Sequence, residues 1–320
     1  MSTKVKRVGI VGAGYISDYH ANAIARELDT ELVAICDMNV QLANKLLVYA
    51  PDAKIYPSYQ TMLAEESLDV VHVLTQPDSH YHLAKVAVES GCNVILEKPA
   101  TVSAAQTVEL RALAEKYNLQ LAINHNFLFS RPFEQLKAIL ASRSLGPIKS
   151  IRVVWKTPLA QATHGPWNLW MLREPTNILF ETGSHSLSEL LAIVDSPEVN
   201  SVTAWAPRVL PSGATFYQRW SIALRAGDAA IQIDKYFDSG YAQHFVEVEG
   251  VFGVARADME NDVFTLEQST GLAYDLERLS INSRIGMAQV NQAIRTFASY
   301  LASKFTKSAL GGPYAYSMLS

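Results

Sequence analysis

Short runs of consecutive apolar residues alternate with longer segments of mixed polarity through the first 123 positions. Residues 8–11, 32–36, 70–74, 93–96 and 119–123 are near-continuous in apolar character, as strands are when helices cover both faces of their sheet. Between them, residues 19–27, 40–47, 59–65, 80–90 and 104–117 carry apolar side chains at helical spacing, with Ser103 or Thr101 placed to cap the last of these. The alternation predicts βαβ units with right-handed crossovers, and hence a doubly wound parallel sheet of five strands.

After Asn124 the texture changes. A helix is expected over 132–142, followed by strands at 148–155, 199–206, 217–225, 229–236, 244–249 and 253–259. Residues 217–224 alternate apolar and polar, which predicts an open, mostly antiparallel sheet with one covered face. A helix over 286–303 follows, and Gly311-Gly312-Pro313 stands where a further helix would be capped. The reading is therefore α/β in two domains, 1–123 and 124–320.

Length agrees with that division, since 320 residues exceed the usual reach of one core. A cleft between two domains is a natural ligand site. Apolar residues make up 49% and charged residues 18%, and no apolar run is long enough to cross a bilayer. The first seven residues, Met1 to Arg7, offer neither a secretory apolar region nor a cleavage site, so a cytoplasmic location with no membrane partner is expected. Cys36 and Cys92 are too few for a disulfide framework or a cysteine-rich zinc site and read as buried thiols. A net charge of -4 without a basic block gives no footprint for nucleic acid. Small molecules are the expected partners.

The first candidate chemistry lies at the end of the first strand. Gly12 and Gly14, in Gly12-Ala13-Gly14-Tyr15-Ile16-Ser17, occupy the first two positions of a G-x-G-x-x-G fingerprint, with Ser17 at the third. Gly12 permits a tight turn, and a missing Cβ at Gly14 admits a pyrophosphate to the N-terminus of the following helix, beside Tyr15 and Ile16. A glycine pair alone is equally compatible with plain loop geometry. Here Asp37 ends the second strand about twenty residues on, where a carboxylate accepts from the adenosine ribose hydroxyls. Together these predict a Rossmann dinucleotide-binding domain. Asp37 would repel a 2′-phosphate and is followed by Met38 and Asn39 rather than arginine, so NAD is expected over NADP.

Two further stretches carry a resemblance. Thr75-Gln76-Pro77-Asp78-Ser79-His80 and the Glu97-Lys98-Pro99 triplet resemble signatures of the glucose–fructose oxidoreductase/inositol dehydrogenase/rhizopine catabolism (Gfo/Idh/MocA) family. Arg131-Pro132-Phe133, Leu145-Gly146-Pro147-Ile148 and residues 170–189 extend the likeness along the chain. The resemblance implies hydride transfer between a nicotinamide and a hydroxyl of a sugar, cyclitol or related molecule. It places Thr75, Gln76, Pro77, His80, Glu97 and Lys98 at the cofactor and makes Lys98 the active-site lysine. It also matches Glu181-Thr182-Gly183-Ser184-His185 to the family's Asp-x-x-x-His motif, with glutamate in place of aspartate and with Ser188 where many members have a second aspartate.

The chemistry asks for such groups. Removing a hydride from a carbinol also removes a proton, which requires a base of near-neutral pKa and a cation for the developing alkoxide. His185 and Lys98 fit those roles, and Glu181 precedes His185 by four residues, one turn on a helix. Lys98 follows the fourth predicted strand at the sheet edge where ligands bind, although a surface lysine beside a turn has the same local sequence. Pro99 is a candidate cis proline. His185 also reads as a buried histidine satisfied by backbone. Trp167, Trp170 and Arg173, with His164 and Asn168, either line a substrate cleft or simply pack. Asn124, His125 and Asn126 either meet the nicotinamide ribose or amide, or satisfy backbone at the domain junction. His72, His80 and His82 lack the carboxylate or cysteine set of a zinc site, and no metal is expected.

Two rival readings remain on the same scaffold: a redox-neutral glycosidase or epimerase that uses NAD transiently, and a catalytically inactive NAD-binding sensor. An open sheet in the second domain also leads us to expect a homodimer or homotetramer.

Overall fold

The computed structural model describes residues 4–306, with side chains through Leu301. The chain separates into two compact units, with the division after His125; the expected boundary lay after Ile123.

The N-terminal unit is a six-stranded parallel sheet in the order β3-β2-β1-β4-β5-β6. Its strands are β1 (Lys6–Val11), β2 (Thr30–Cys36), β3 (Lys54–Tyr56), β4 (Val70–Val73), β5 (Asn93–Glu97) and β6 (Leu121–Asn124). The helices are α1 (Ser17–Arg26), α2 (Val40–Lys45), α3 (Tyr59–Glu65), α4 (Pro77–Glu89) and α5 (Ala104–Tyr117). Two apolar clusters form the core, one around Val71, Val73, Val94 and Leu96 and the other around Val8, Ile10, Leu32 and Ile35. The predicted sheet lacked β3, whose three residues at an edge are too few to show a period. Helix α4 begins earlier than expected because Pro77 at its first position suits a helix start. At α5, Ser103 is the N-cap residue but its side chain makes no capping bond. Thr101 Oγ1 instead accepts from Ser103 N at 3.3 Å and meets Thr107 Oγ1 at 2.8 Å.

The C-terminal unit has a seven-stranded sheet in the order β13-β12-β11-β7-β10-β9-β8. These strands are β7 (Ile148–Lys156), β8 (Glu198–Val209), β9 (Thr215–Ala226), β10 (Ala229–Tyr236), β11 (Gln243–Gly250), β12 (Gly253–Asp258) and β13 (Val263–Gln268). Every pairing is antiparallel except that of β7 with β10. Helices α6 (Arg131–Ala141), α7 (Ala160–His164), α8 (Trp170–Arg173), α9 (Ser184–Leu191) and α10 (Tyr274–Thr306) complete the unit. Phe133, Leu136 and Leu190 pack with Val153, Ile231, Ile233, Val246 and Val248 in its main core.

Helix α10 starts twelve residues before the expected Gly286, which lies inside it and would meet nothing within 4 Å if it carried a Cβ. The start is fastened by Glu277, whose Oε1 accepts from Ser269 Oγ at 2.8 Å and Thr270 N at 2.7 Å. Residues 311–313, where a further cap was expected, lie outside the described residues. No helix among the described residues is long and apolar enough to cross a membrane.

Candidate active site

In the N-terminal unit the predicted residues gather at the carboxyl ends of the parallel strands, around the point where the strand order reverses between β1 and β4. Gly12 follows β1 with φ +96°, and a Cβ there would stand 2.8 Å from the Leu74 carbonyl carbon and oxygen. Only glycine fits. Gly14 differs: a Cβ would meet nothing within 4 Å, so the fold does not demand glycine at that position. The space above it is what a pyrophosphate approaching the loop requires. Ser17, fully buried, donates to Gly14 O and closes the turn that the third fingerprint position occupies. Tyr15 is exposed, with its hydroxyl 2.9 Å from that of Tyr19, and half-buried Ile16 is the N-cap of α1.

Asp37 fixes the same loop. Its Oδ2 accepts from Ala13 N and its Oδ1 from Asn39 N, both at 2.7 Å. A carboxylate has about four acceptor directions, so these bonds leave capacity for ribose hydroxyls. Thr75 Oγ1 pairs with Ser79 Oγ at 2.7 Å beside exposed Gln76 and buried Pro77. His80 is fully buried, with Nδ1 2.9 Å from Pro99 O and Nε2 3.0 Å from Thr75 O. It therefore contributes by tying the Thr75 and Pro99 turns together.

Lys98 is half-buried at the end of β5, and its bond to Pro99 is cis. The preceding Glu97 is buried and gathers donors. Oε1 accepts from His20 Nε2 at 3.0 Å and from Asn124 Nδ2, while Oε2 accepts from Lys98 N at 3.2 Å. His20 and His72 meet through their Nδ1 atoms at 2.9 Å. Burial pushes the Glu97 carboxyl up, but the His20 bond and charge, Asn124 and Lys98 outweigh it and hold the group below the usual carboxylate range. Burial pushes the His72 imidazole well below its usual value, with His20 adding to the effect. Neither His20 nor its role beneath Lys98 was anticipated from sequence; the available signal was a histidine on the apolar face of α1.

In the C-terminal unit, Gly183 does not interrupt the helix. Leu179–Gly183 forms a π turn that runs directly into α9. With i→i+5 bonding, Glu181 and His185 no longer stand in the α-helical i,i+4 relation that the sequence suggested. Half-buried Glu181 lies on the turn, and His185 is 2% exposed. The His185 ring stacks on Trp155, with centroids 5.3 Å apart and planes at 20°, and meets the edge of Phe127 at 4.9 Å. His244 also lies against Trp155, at 4.1 Å, and its Nε2 is 2.8 Å from Glu189 Oε1. That contact is close but not aligned as a hydrogen bond. Lys235 is fully buried, donates from Nζ to Thr182 O at 2.9 Å, and sits 4.8 Å above the Trp155 ring.

The remaining predicted residues divide. Trp167 packs against a satellite cluster that includes Leu172, Ile178 and Phe216, which favours packing over cleft lining. Trp170 meets Phe180 edge-on at 6.3 Å, and exposed Arg173 donates from Nε to Asn168 O at 3.2 Å. Asn126 is buried at the start of the second unit. Among the described residues no group of three or more His, Cys, Asp or Glu side chains could hold a metal ion. A groove of about 920 Å³ between β11–β13 and α10 is lined by none of the predicted residues.

A parallel sheet in this strand order, with a glycine turn and an acidic residue at its carboxyl edge, defines a Rossmann dinucleotide-binding fold. Residues 6–125 match the model of the Gfo/Idh/MocA family, described as "Oxidoreductase family, NAD-binding Rossmann fold". The chain is 30% identical over 207 residues to D-glucoside 3-dehydrogenase of Escherichia coli, a match covering 64% of this chain and 58% of that protein. Five further curated relatives are matched over 28% to 48% of their own length. Among solved structures, GenD2 from gentamicin A biosynthesis in complex with NAD superposes with a TM-score of 0.71 at 21% identity, covering 100% of this chain and 92% of that one. Levoglucosan dehydrogenase in complex with NADH and levoglucosan gives 0.76 at 16% identity, covering 84% and 78%. These two likenesses show the fold.

Proposed function

We propose that the protein is an NAD-dependent dehydrogenase or reductase that acts on a secondary hydroxyl of a sugar, cyclitol or sugar derivative. The observation that carries this reading is the anchoring of the Lys98 backbone, whose N–H donates to the buried Glu97, at the carboxyl edge of the sheet that holds the Gly12–Gly14 turn. The name of the 30% identical relative, D-glucoside 3-dehydrogenase, supports a carbohydrate substrate.

Bound at that edge, the nicotinamide supplies the carbon that takes or gives hydride. The chain does the rest. Backbone N–H groups from Gly14 to Ile16, at the N-terminus of ten-residue α1, hold the pyrophosphate, and Asp37 accepts from the adenosine ribose. Asp37 also favours NAD over NADP, because its carboxylate repels a 2′-phosphate and neither Met38 nor Asn39 offsets it. The Lys98 ammonium stabilises the alkoxide that forms as the hydroxyl proton leaves. In the C-terminal unit the base is assigned to His185, at a ring nitrogen, with Glu181 of the π turn as its candidate carboxylate. A homodimer or homotetramer formed through the C-terminal sheet, whose β8 exposes Val199, Val202 and Val209, and a cytoplasmic setting complete the proposal.

The test is nicotinamide absorbance on mixing the protein with NAD⁺ or NADP⁺ and a panel of cyclitols, aldoses, sugar acids and nucleotide sugars. Reduction with one substrate class is expected, with kcat lowered by about 10² to 10⁴ in Lys98→Ala and in His185→Ala and NAD binding retained. A fully active Lys98→Ala enzyme would remove the mechanism. NAD binding without NADH formation across the panel would favour redox-neutral use of the cofactor or a sensor.

A further inference from the structure

Lys235, Trp155 and His244 form one row across the centre of the C-terminal sheet. Lys235 is the register partner of Trp155 from β10, and His244 is its partner from β11 on the other side of β7. Residues paired in register point to the same face, and here that face meets the π turn and α9. Each member of the row grips a different point of that segment. Lys235 Nζ holds Thr182 O, three residues before His185. The Trp155 indole stacks on the His185 ring itself. His244 Nε2 pairs with Glu189 Oε1, one helical turn after His185.

Lys235 and Glu189 are both fully buried. An ammonium and a carboxylate withdrawn from water in this way are poor stabilisers, and apolar side chains of similar volume commonly replace such groups without loss of stability. Their arrangement accounts for them better: two polar anchors and one aromatic face bracket a single imidazole and fix its rotamer. A cation above an indole is itself attracted to the ring, so Lys235 also steadies the surface on which His185 rests.

We propose that Lys235 and His244 are positioning residues for His185, acting through Thr182, Trp155 and Glu189 to hold the imidazole in one orientation. The inference rests on the catalytic reading of His185 for its kinetic consequence, but the orientation itself can be measured without turnover.

The experiment compares Lys235→Met, His244→Gln and Glu189→Gln with the unmodified full chain. NMR of the ¹⁵N-labelled histidine rings, with His185 assigned from His185→Ala, should show the His185 resonances shifted or broadened in each variant while NAD affinity is unchanged. Turnover should show kcat reduced by about 10- to 100-fold, the scale of a misplaced catalytic group, with KM for NAD⁺ retained. In a His185→Ala background, Lys235→Met should cause no further loss, a coupling that a general packing defect would not give. Folded variants that keep both the His185 resonances and kcat overturn the proposal. If His185→Ala proves fully active, the catalytic reading fails and the ring resonances still decide the positioning. Should Lys235→Met fail to fold, the polar substitutions at His244 and Glu189 decide it.

Discussion

His20 Nε2 lies 3.0 Å from Glu97 Oε1, joining the middle of α1 to the end of β5 immediately before Lys98. Because Asn124 donates to the same oxygen and Lys98 N to the other, the carboxylate links α1, β5 and β6 beneath the candidate catalytic lysine. Glu97→Ala would strand these donors in a buried site. We expect a loss of roughly 2–4 kcal/mol, read as a lower midpoint in urea, together with reduced turnover. An unchanged midpoint would show that the network contributes nothing to stability.

The same network contributes to the acid sensitivity of the fold. His72 titrates below its ordinary value in the folded chain, so near and below about pH 6.5 the unfolded chain binds a proton that the folded one does not. Stability from this residue is complete above that pH and declines as pH falls, by about 1.4 kcal/mol per pH unit, until the folded pKa is reached. Glu97 is held below the usual carboxylate range; its contribution is present above about pH 4.5 and is lost as pH falls through its folded pKa. Two windows follow. Urea unfolding measured from pH 7.5 to 4 should lose stability first in the histidine window, and His72→Asn should flatten that part of the curve. A wild-type curve flat between pH 6.5 and 5 would contradict the assignment to His72.

Gly12 and Gly14 should separate folding from binding. At Gly12 a methyl group would enter a left-handed backbone at 2.8 Å from the Leu74 carbonyl, so Gly12→Ala is expected to cost about 1–3 kcal/mol. At Gly14 the space is open, so Gly14→Ala should alter stability by no more than about 0.5 kcal/mol while weakening NAD roughly tenfold or more through pyrophosphate crowding. Thermal unfolding and calorimetric titration together check both halves. Equal NAD affinity in Gly14→Ala and the parent would mean that the open space is not where the pyrophosphate lies.

What was legible in the sequence follows from how strongly each feature depends on its neighbours. Strands β1, β2, β4 and β5 of the N-terminal sheet were visible because burial on both faces leaves an unbroken apolar run, and β6, at an edge with Ala122 exposed, was visible from its apolar run alone. Strand β3, with Lys54 exposed at an edge, carries no such run, and half-exposed β13 shows only weak alternation. The parallel pairing of β7 with β10 is set by tertiary packing and has no local code. The glycine turn, Asp37 and Lys98 were legible because each sits at a strand end where the elements themselves fix its place. Lys235 and His244 were not singled out, yet a signal existed: Lys235 shares strand parity with Ile231 and Ile233, and His244 with Val246 and Val248. A charged residue on the apolar parity of a strand is a buried charge. No periodicity marked the π turn, which replaced the expected pairing geometry of Glu181 with His185.

Asp37 serves two purposes that one substitution series can distinguish. Its carboxylate anchors the glycine turn by accepting from Ala13 N and Asn39 N, and in the proposed function it also accepts from the adenosine ribose and repels a 2′-phosphate. Asp37→Ala removes both, and should cost about 1–3 kcal/mol of stability through the stranded amides while weakening NAD. Asp37→Asn keeps an oxygen acceptor for one amide and removes the negative charge. It should therefore recover part of the stability lost in Asp37→Ala, yet narrow the gap between NAD⁺ and NADP⁺ affinity by about tenfold, because the repulsion is electrostatic and the anchoring is not. Calorimetric titration of both cofactors against all three proteins reads the outcome. Equal affinity of the parent for NAD⁺ and NADP⁺ would leave Asp37 as an anchor of the loop without a part in cofactor choice.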